Sequence, residues 1–121
     1  MPVTMPVTYV ELNSPDLDAT AGFLAELFGW QLQPFGAPDY LVAPHGDGAG
    51  VDTGVMASRD GQPRAIPVIR VEDLDDAMAR VGKAGGRVVV EPFTIEGVGR
   101  GCYILDPAGL LLGLHAYDAV A

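Results

Sequence analysis

A carboxylate stands among apolar residues near the start of the chain, in the segment 7–12. Alternation along a strand places Glu11 on the same face as Tyr9. A carboxylate on such a face has to be paired, hydrogen-bonded or shifted in its pKa. Glu11 is therefore a candidate general base, or an anchor for a cationic or hydroxylated ligand. The alternative is a structural ion pair with Arg70 or Arg100.

Two further side chains with useful chemistry fall on strands predicted in the second half of the chain. His115 ends the last predicted strand and is a candidate ligand contact or proton carrier, or simply a hydrogen-bonded surface residue. Arg70 shares a strand face with Val68 and is suited to an anionic ligand, to pairing with Glu11, or to solvent. Glu11 and His115 together would supply the acid and the base of a lyase or isomerase.

Large aromatic side chains accompany these polar residues. Trp30 and Tyr40 flank the strands of the first half, where their rings could stack on a planar ligand or pack in the core. Tyr103 and Tyr117 are weaker candidates of the same kind, and His45 lies in a glycine-rich loop where exposure is the default. The predicted ligand-binding residues are Tyr9, Glu11, Trp30, Tyr40, Arg70 and His115.

The elements that must position these residues follow from a repeat. The segment 10–19 reads VELNSPDLDA, and the segment 68–77 reads VIRVEDLDDA. In both, a short apolar strand leads into Asp-Leu-Asp and then into a helical pattern. A duplicated half-domain implies a pseudo-twofold body with a cleft between the halves, and clefts bind small molecules.

Both helices carry start and stop signals. Ser14 is the predicted N-cap of the first helix and Gly29 its stop, while Asp73 caps the second helix and Gly85 follows it. The apolar stripe predicted to be buried on the first helix consists of Leu17, Ala21, Leu24, Leu27 and Phe28. The remaining segments are predicted strands, at 7–12, 30–35, 38–44 and 51–58 in the first half and at 66–71, 87–92, 99–105 and 110–115 in the second.

The order β-α-β-β-β therefore occurs twice, which predicts an α+β fold. The first module is predicted over 7–58 and the second over 66–117, joined by a linker at 59–65. Residues 1–6 form a disordered or short lead, and residues 118–121 form a tail.

The composition excludes several kinds of partner. Lys and Arg total 7 against 16 Asp and Glu, and the resulting net charge of −9 repels phosphate backbones and anionic lipid. No apolar run approaches the ~20 residues of a membrane-spanning helix, and the N-terminus lacks a secretory pattern. The single cysteine, Cys102, is expected to be a buried and inert thiol. These features predict a cytoplasmic protein that binds neither nucleic acid nor membrane.

With this order and repeat, the sequence resembles the vicinal-oxygen-chelate superfamily of glyoxalase I, bleomycin-resistance proteins and extradiol dioxygenases. The stretches that carry the resemblance are VEL at 10–12 with DLD at 16–18, LFGW at 27–30, YILDPAG at 103–109 and LGL at 112–114. The resemblance implies tandem βαβββ modules that form a curved mixed sheet around a cleft. It also implies a homodimer, because members of this superfamily commonly complete their clefts by pairing.

Catalytic members of the superfamily hold a divalent metal with His, Glu or Gln side chains from four strands. The matching positions here are Tyr9, Ile66, Gly113 and, approximately, Gly54. A divalent site needs several N or O donors converging at about 2 Å, which these residues do not supply. The resemblance therefore implies a member without metal or cofactor that binds a small, partly apolar or aromatic molecule.

Two other classes of function stay open. One is an enzyme of the same superfamily, either a lyase or isomerase that uses Glu11 and His115 or a dioxygenase-type metal enzyme with unusual ligands. The other is a structural or subunit role without a ligand. The sequence names no substrate.

Overall fold

The computed structural model describes residues 4–44 and 50–117, so His45 and the predicted tail at 118–121 lie outside the described residues. The described chain is α+β and repeats the order β-α-β-β-β, as predicted. Its elements are β1 (Val7–Ser14), α1 (Leu17–Phe28), β2 (Gln33–Phe35), β3 (Ala37–Ala43), β4 (Asp52–Ala57), β5 (Arg64–Arg70), α2 (Leu74–Lys83), β6 (Arg87–Ile95), β7 (Gly99–Leu105) and β8 (Leu111–Ala116). Contacts between its residues divide the chain into two compact units. The first is Tyr9–Ile66, and the second consists of residues 4–8 and 67–117.

The first unit contains strands in the order β2-β3-β4-β1. β1 runs parallel to β4, and β3 runs antiparallel to both β4 and β2. α1 makes the crossover that a parallel pair requires, and Ser14 of β1 reaches Thr20 of α1 at 2.6 Å between hydroxyl oxygens. Because side chains alternate along a strand, Tyr9 and Glu11 lie on the face of β1 that points away from α1.

The second unit contains strands in the order β5-β8-β7-β6, again with one parallel pair, β5–β8. Its core lies between α2 and the sheet, and consists of Val71, Leu74, Cys102, Leu114 and Ala116 with Met78 and Val81 packed against it. Since Leu114 and Ala116 face α2, alternation places Gly113 and His115 on the opposite face of β8.

β6 is the outer strand of the second unit and pairs with β7, its one neighbour in the strand order of that unit. The register shifts twice, between Val88 and Val90 and between Val90 and Phe93. Pro92, which has no N–H to donate to a neighbouring strand, lies inside the second shift.

The helix caps correct one prediction and confirm another. Ser14 is not the N-cap of α1, because it is the last residue of β1; the N-cap is Asp16, whose carboxylate accepts the Ala19 N–H at 3.1 Å. Asp73 caps α2 as predicted and accepts a backbone N–H at 3.0 Å. Gly29 ends α1 in the left-handed region at φ 73°, also as predicted.

The stripe predicted for α1 is only partly buried. Leu24 is buried as expected, but Leu27 and Phe28 are more than half exposed, and so is Phe23. The strand ends differ from the predicted ones by three residues or fewer, and the largest shortening is at β2, which begins at Gln33. In the described part of the chain, neither helix has the length and apolar content needed to cross a bilayer.

Candidate functional site

A pair of tyrosines covers the backbone of β4 in the first unit. Tyr9 of β1 and Tyr40 of β3 hydrogen-bond through their hydroxyl groups, directly above Gly54 of β4. A Cβ atom at Gly54 would overlap the Tyr9 hydroxyl and would lie 2.6 Å from the Tyr40 hydroxyl. The two hydroxyl groups therefore fill the space that a longer side chain from β4 would need.

Glu11 lies beside this pair, opposite Gly54 in the parallel ladder. Its side chain is buried and accepts a hydrogen bond from Asn13 Nδ2 at 3.1 Å. Burial raises the pKa of Tyr40, the hydrogen bond with Tyr9 lowers it, and the charge of Glu11 raises it further. Tyr40 is therefore a neutral hydroxyl group at pH 7 and can donate a hydrogen bond. We call Tyr9, Glu11, Tyr40 and Gly54 the phenol site.

A second group of candidate residues meets at the end of β8 in the second unit. Arg70 lies opposite His115 in the parallel β5–β8 pair. The Tyr117 ring contacts both residues, with its centroid 4.3 Å from the Arg70 guanidinium carbon and 4.1 Å from the His115 ring centroid. We call Arg70, His115 and Tyr117 the sandwich site.

The His115 side chain is titratable but buried. The residue is 7% exposed, and its Nε2 atom has no hydrogen-bond partner among the described residues. Burial lowers the pKa of His115, and the nearby charge of Arg70 lowers it further. The imidazole is therefore neutral at pH 7.

An aromatic wall borders the sandwich site. Gly101 of β7 lies opposite His115, and the Phe93 ring covers Gly101, since a Cβ there would approach it to 3.2 Å. Phe93 stacks on Tyr103 with 5.8 Å between ring centroids and 26° between planes. Sequence reasoning did not single out Phe93. The sequence feature that could have indicated Phe93 is its place in the strand next to the glycine-rich start of β7.

Trp30 lies apart from the phenol site within the first unit. Its ring packs on Phe28 at 5.9 Å, and Phe28 contacts Phe23 edge-to-face at 6.5 Å. The structure thus brings Tyr9, Glu11 and Tyr40 together and places Trp30 in an aromatic cluster at the end of α1. A ligand contact by Trp30 stays a prediction.

The residues at the four metal-ligand positions do not fit a divalent ion. At Gly54 the space for a side chain is filled by the phenol pair, and at Gly113 a Cβ would lie 3.0 Å from the side chain that faces it. Ile66 is buried and aliphatic, and the Tyr9 hydroxyl is engaged in the phenol pair. Within 4–44 and 50–117, no three His, Cys, Asp or Glu residues are grouped to hold a metal ion.

Two other residues named from the sequence have structural surroundings. Cys102 is buried in the core under α2, as predicted, and burial raises the pKa of its thiol to about 11. Such a thiol is protonated at pH 7 and is a poor nucleophile. Arg100 pairs with Asp75 of α2 at 3.2 Å.

Known protein sequences resemble this chain over most of its length. The profile of the Glyoxalase/Bleomycin resistance protein/Dioxygenase superfamily matches residues 7–114. CFP32 of Mycobacterium tuberculosis, provisionally named a glyoxylase, is 31% identical over 116 residues, which cover 88% of this chain and 43% of CFP32. The anthracycline biosynthesis protein DnrV of Streptomyces peucetius is 33% identical over 122 residues, covering 84% of this chain and 43% of DnrV. The chain spans less than half the length of both relatives.

Solved structures share the fold at low sequence identity. Methylmalonyl-CoA epimerase from Mycobacterium tuberculosis has a TM-score of 0.68 and 22% identity, covering 96% of this chain and 92% of that one. The Mn(II)-bound glyoxalase from Novosphingobium aromaticivorans has a TM-score of 0.65 and 24% identity, covering 96% of this chain and 41% of that one. One fold thus carries different chemistries, so the fold alone does not select a function.

Proposed function

Because the chain belongs to the Glyoxalase/Bleomycin resistance protein/Dioxygenase superfamily, we propose that it is a metal-free binding protein for a small, partly aromatic molecule. The observation that carries this proposal is the phenol pair over Gly54. In the catalytic members that the sequence resembles, this strand contributes a metal ligand, whereas here two tyrosines take up the room for one. Their rings and hydroxyl groups offer the mixture of apolar and polar surface that small-molecule sites use.

The phenol site favours a planar ligand that carries hydroxyl groups. The neutral Tyr40 hydroxyl can donate a hydrogen bond, and the Glu11 carboxylate can accept one. The name of the relative DnrV refers to anthracycline biosynthesis, and anthracyclines contain fused planar rings with hydroxyl groups. We therefore propose hydroxylated polycyclic aromatics as the first ligand class to test.

Metal analysis tests the first half of the proposal. We expect purified protein to contain no stoichiometric metal, and we expect Zn, Ni, Mn and Fe(II) to leave the melting temperature unchanged. An ion that binds the folded chain and not the unfolded chain would raise the melting temperature, by an amount that grows with the logarithm of the ion concentration divided by Kd. One stoichiometric ion, or a stabilisation of several degrees by one metal, would overturn the metal-free proposal.

Calorimetric titration with a dihydroxyanthraquinone tests the second half. We expect saturable binding that Tyr40→Phe weakens by about two- to ten-fold, the value of one hydrogen bond. Ser58→Ala is the matched control, because it removes a hydroxyl group from a turn and leaves the phenol site intact. Equal affinity of Tyr40→Phe and Ser58→Ala would reject Tyr40 as an anchor.

A second candidate function is an acid–base lyase or isomerase that uses Glu11 and His115. The observation that favours it is the neutral His115 imidazole with a buried Nε2, since a neutral imidazole can accept a proton. Glu11→Gln separates the two proposals. Loss of turnover with binding retained would indicate catalysis, whereas weaker binding without turnover would indicate an anchor.

The biological setting is part of the same proposal. We propose a cytoplasmic homodimer whose partner is a small molecule. At a net charge of −9 we expect neither nucleic acid nor an anionic membrane surface as a partner.

A further inference from the structure

We propose that the Tyr117 ring stands in for the ligand: it occupies the position against Arg70 and His115 that a planar aromatic anion takes when it binds. The anion is an aromatic carboxylate or phenolate with a further hydroxyl group on the ring. This inference adds a second site, in the second unit, and rests on the proposed function in that the chain binds small aromatic molecules.

The first argument is the geometry of the sandwich site. The Arg70 guanidinium lies 4.3 Å from the Tyr117 ring centroid, within the range of a cation–π contact. The His115 ring lies 4.1 Å away at an interplanar angle of 63°, closer than most aromatic pairs. The tyrosine ring therefore fills a slot lined by a cation and an imidazole, and another flat ring in this slot can make the same two contacts.

The second argument is the buried nitrogen of His115. The large majority of buried side-chain polar atoms in proteins have a hydrogen-bond partner. His115 Nε2 is buried without one among the described residues, and the carbon atoms of the neighbouring Tyr117 ring supply no conventional donor or acceptor. A ligand hydroxyl placed beside Nε2 would satisfy this atom, which a tyrosine ring in the same slot does not.

The third argument is that Tyr117 can leave the slot at low cost. It follows β8, which ends at Ala116, so its side chain can rotate without breaking a strand pair. It is 38% exposed, whereas His115 behind it is buried. Phe93 and Tyr103 would remain in place as the apolar wall.

The fourth argument is charge. Arg70 is exposed and provides a positive group at the slot, while the whole chain carries a net charge of −9. Distant repulsion is screened within about 8 Å at physiological ionic strength. For an aromatic anion, the attraction of the Arg70 guanidinium in contact with it therefore outweighs the repulsion by the distant negative charges. A neutral ring of the same shape lacks this attraction.

Competition between ligand and tyrosine gives the test. Salicylate, the neutral salicylamide and the non-planar cyclohexanecarboxylate are titrated calorimetrically into the wild-type chain and into Tyr117→Ala, Tyr117→Phe and Arg70→Gln. We expect Tyr117→Ala to bind salicylate about five-fold more tightly than wild type, because the internal competitor is gone. Tyr117→Phe keeps the ring and should match wild type. Arg70→Gln should remove the preference for salicylate over salicylamide, and cyclohexanecarboxylate should bind weakest.

A second readout does not depend on affinity. The chain contains two histidines, so His115→Gln identifies the His115 imidazole signal in a proton–carbon NMR spectrum. That signal should move in Tyr117→Ala without added ligand, and again when salicylate is added. Tyr117→Leu repeats the measurement if the alanine variant unfolds.

The outcomes separate this inference from the proposed function. If the dihydroxyanthraquinone binds but Tyr117→Ala does not bind salicylate more tightly, the stand-in is rejected and the binding function is retained. Weaker salicylate binding by Tyr117→Ala would also reject it, because Tyr117 would then be part of the wall. If no variant binds any planar ring, both proposals fail.

Discussion

At the scale of single residues, Gly54 decides what the first unit can present on the face of its sheet away from α1. Its missing side chain lets the Tyr9 and Tyr40 hydroxyl groups meet over the β4 backbone. Any larger residue would compete with both phenols for the same space. Gly54 is thus a packing requirement of the phenol site, and its φ is not in the left-handed region.

We expect Gly54→Ala to lower the free energy of unfolding by about 1–3 kcal/mol, the usual cost of overpacking. Urea denaturation followed by circular dichroism measures the change. Gly22→Ala in α1 is the control, since nothing lies within 4 Å of its added Cβ, and alanine there should stabilise the helix by about 0.5–1 kcal/mol. In a Tyr9→Ala background the cost of Gly54→Ala should shrink. An unchanged cost would show that the phenols do not limit the space.

Sequence reasoning reached part of each site at this scale. Strand alternation alone placed Tyr9 and Glu11 on one face. It put Arg70 and His115 on separate strands, and only the structure shows that these two strands pair. The contact between Tyr40 and Tyr9 depends on the registers of two strand pairs, β1–β4 and β3–β4, which no local sequence pattern specifies. The burial of His115 Nε2 without a hydrogen-bond partner among the described residues is likewise a property of the folded chain that no local pattern shows.

At the scale of elements, the repeated Asp-Leu-Asp gives both helices the same start. Asp16 and Asp73 each accept a backbone N–H from the residue three positions on. The prediction of Ser14 as a cap was wrong because β1 extends further than its apolar pattern: the Ser14 carbonyl accepts the Ser58 N–H at 2.7 Å. Serine and aspartate are equally good caps, so tertiary pairing made the choice.

Asp73→Ala should lower the free energy of unfolding by about 1 kcal/mol, because α2 loses its N-cap. Asp73→Ser should restore most of that loss. Glu72→Ala removes the same charge from the exposed neighbouring position and serves as the control. Urea denaturation of the four proteins measures the differences. A loss in Glu72→Ala as large as that in Asp73→Ala would assign the effect to charge alone.

At the scale of the whole molecule, the homodimer stays a prediction. The periodicity of α1 predicted one buried stripe; Leu24 of that stripe is buried, but Leu27 and Phe28 in the last turn of the helix are exposed. Helical periodicity marks apolar faces without saying what covers them. With Phe23, these residues form a surface that we expect a second copy of the chain to cover.

Sedimentation velocity should therefore give about twice the single-chain mass of 12.7 kDa. Leu27→Lys should shift the protein to the monomer, because a charge would be buried in the interface. Leu110→Lys is the matched control, since both leucines are 59% exposed and Leu110 lies in the turn before β8. A monomeric wild type would refute the dimer, and a dimeric Leu27→Lys would move its interface away from α1.

The irregular outer strand of the second unit has a consequence for behaviour at high concentration. β6 carries three exposed apolar side chains, Val89, Val90 and Phe93, a composition that favours cross-β growth in a flat strand. Because of Pro92 and the two register shifts, β6 does not present a continuous row of backbone donors and acceptors to the strand of another molecule. We therefore expect β6 to resist the edge-to-edge strand pairing that leads to fibrils, despite its exposed apolar side chains.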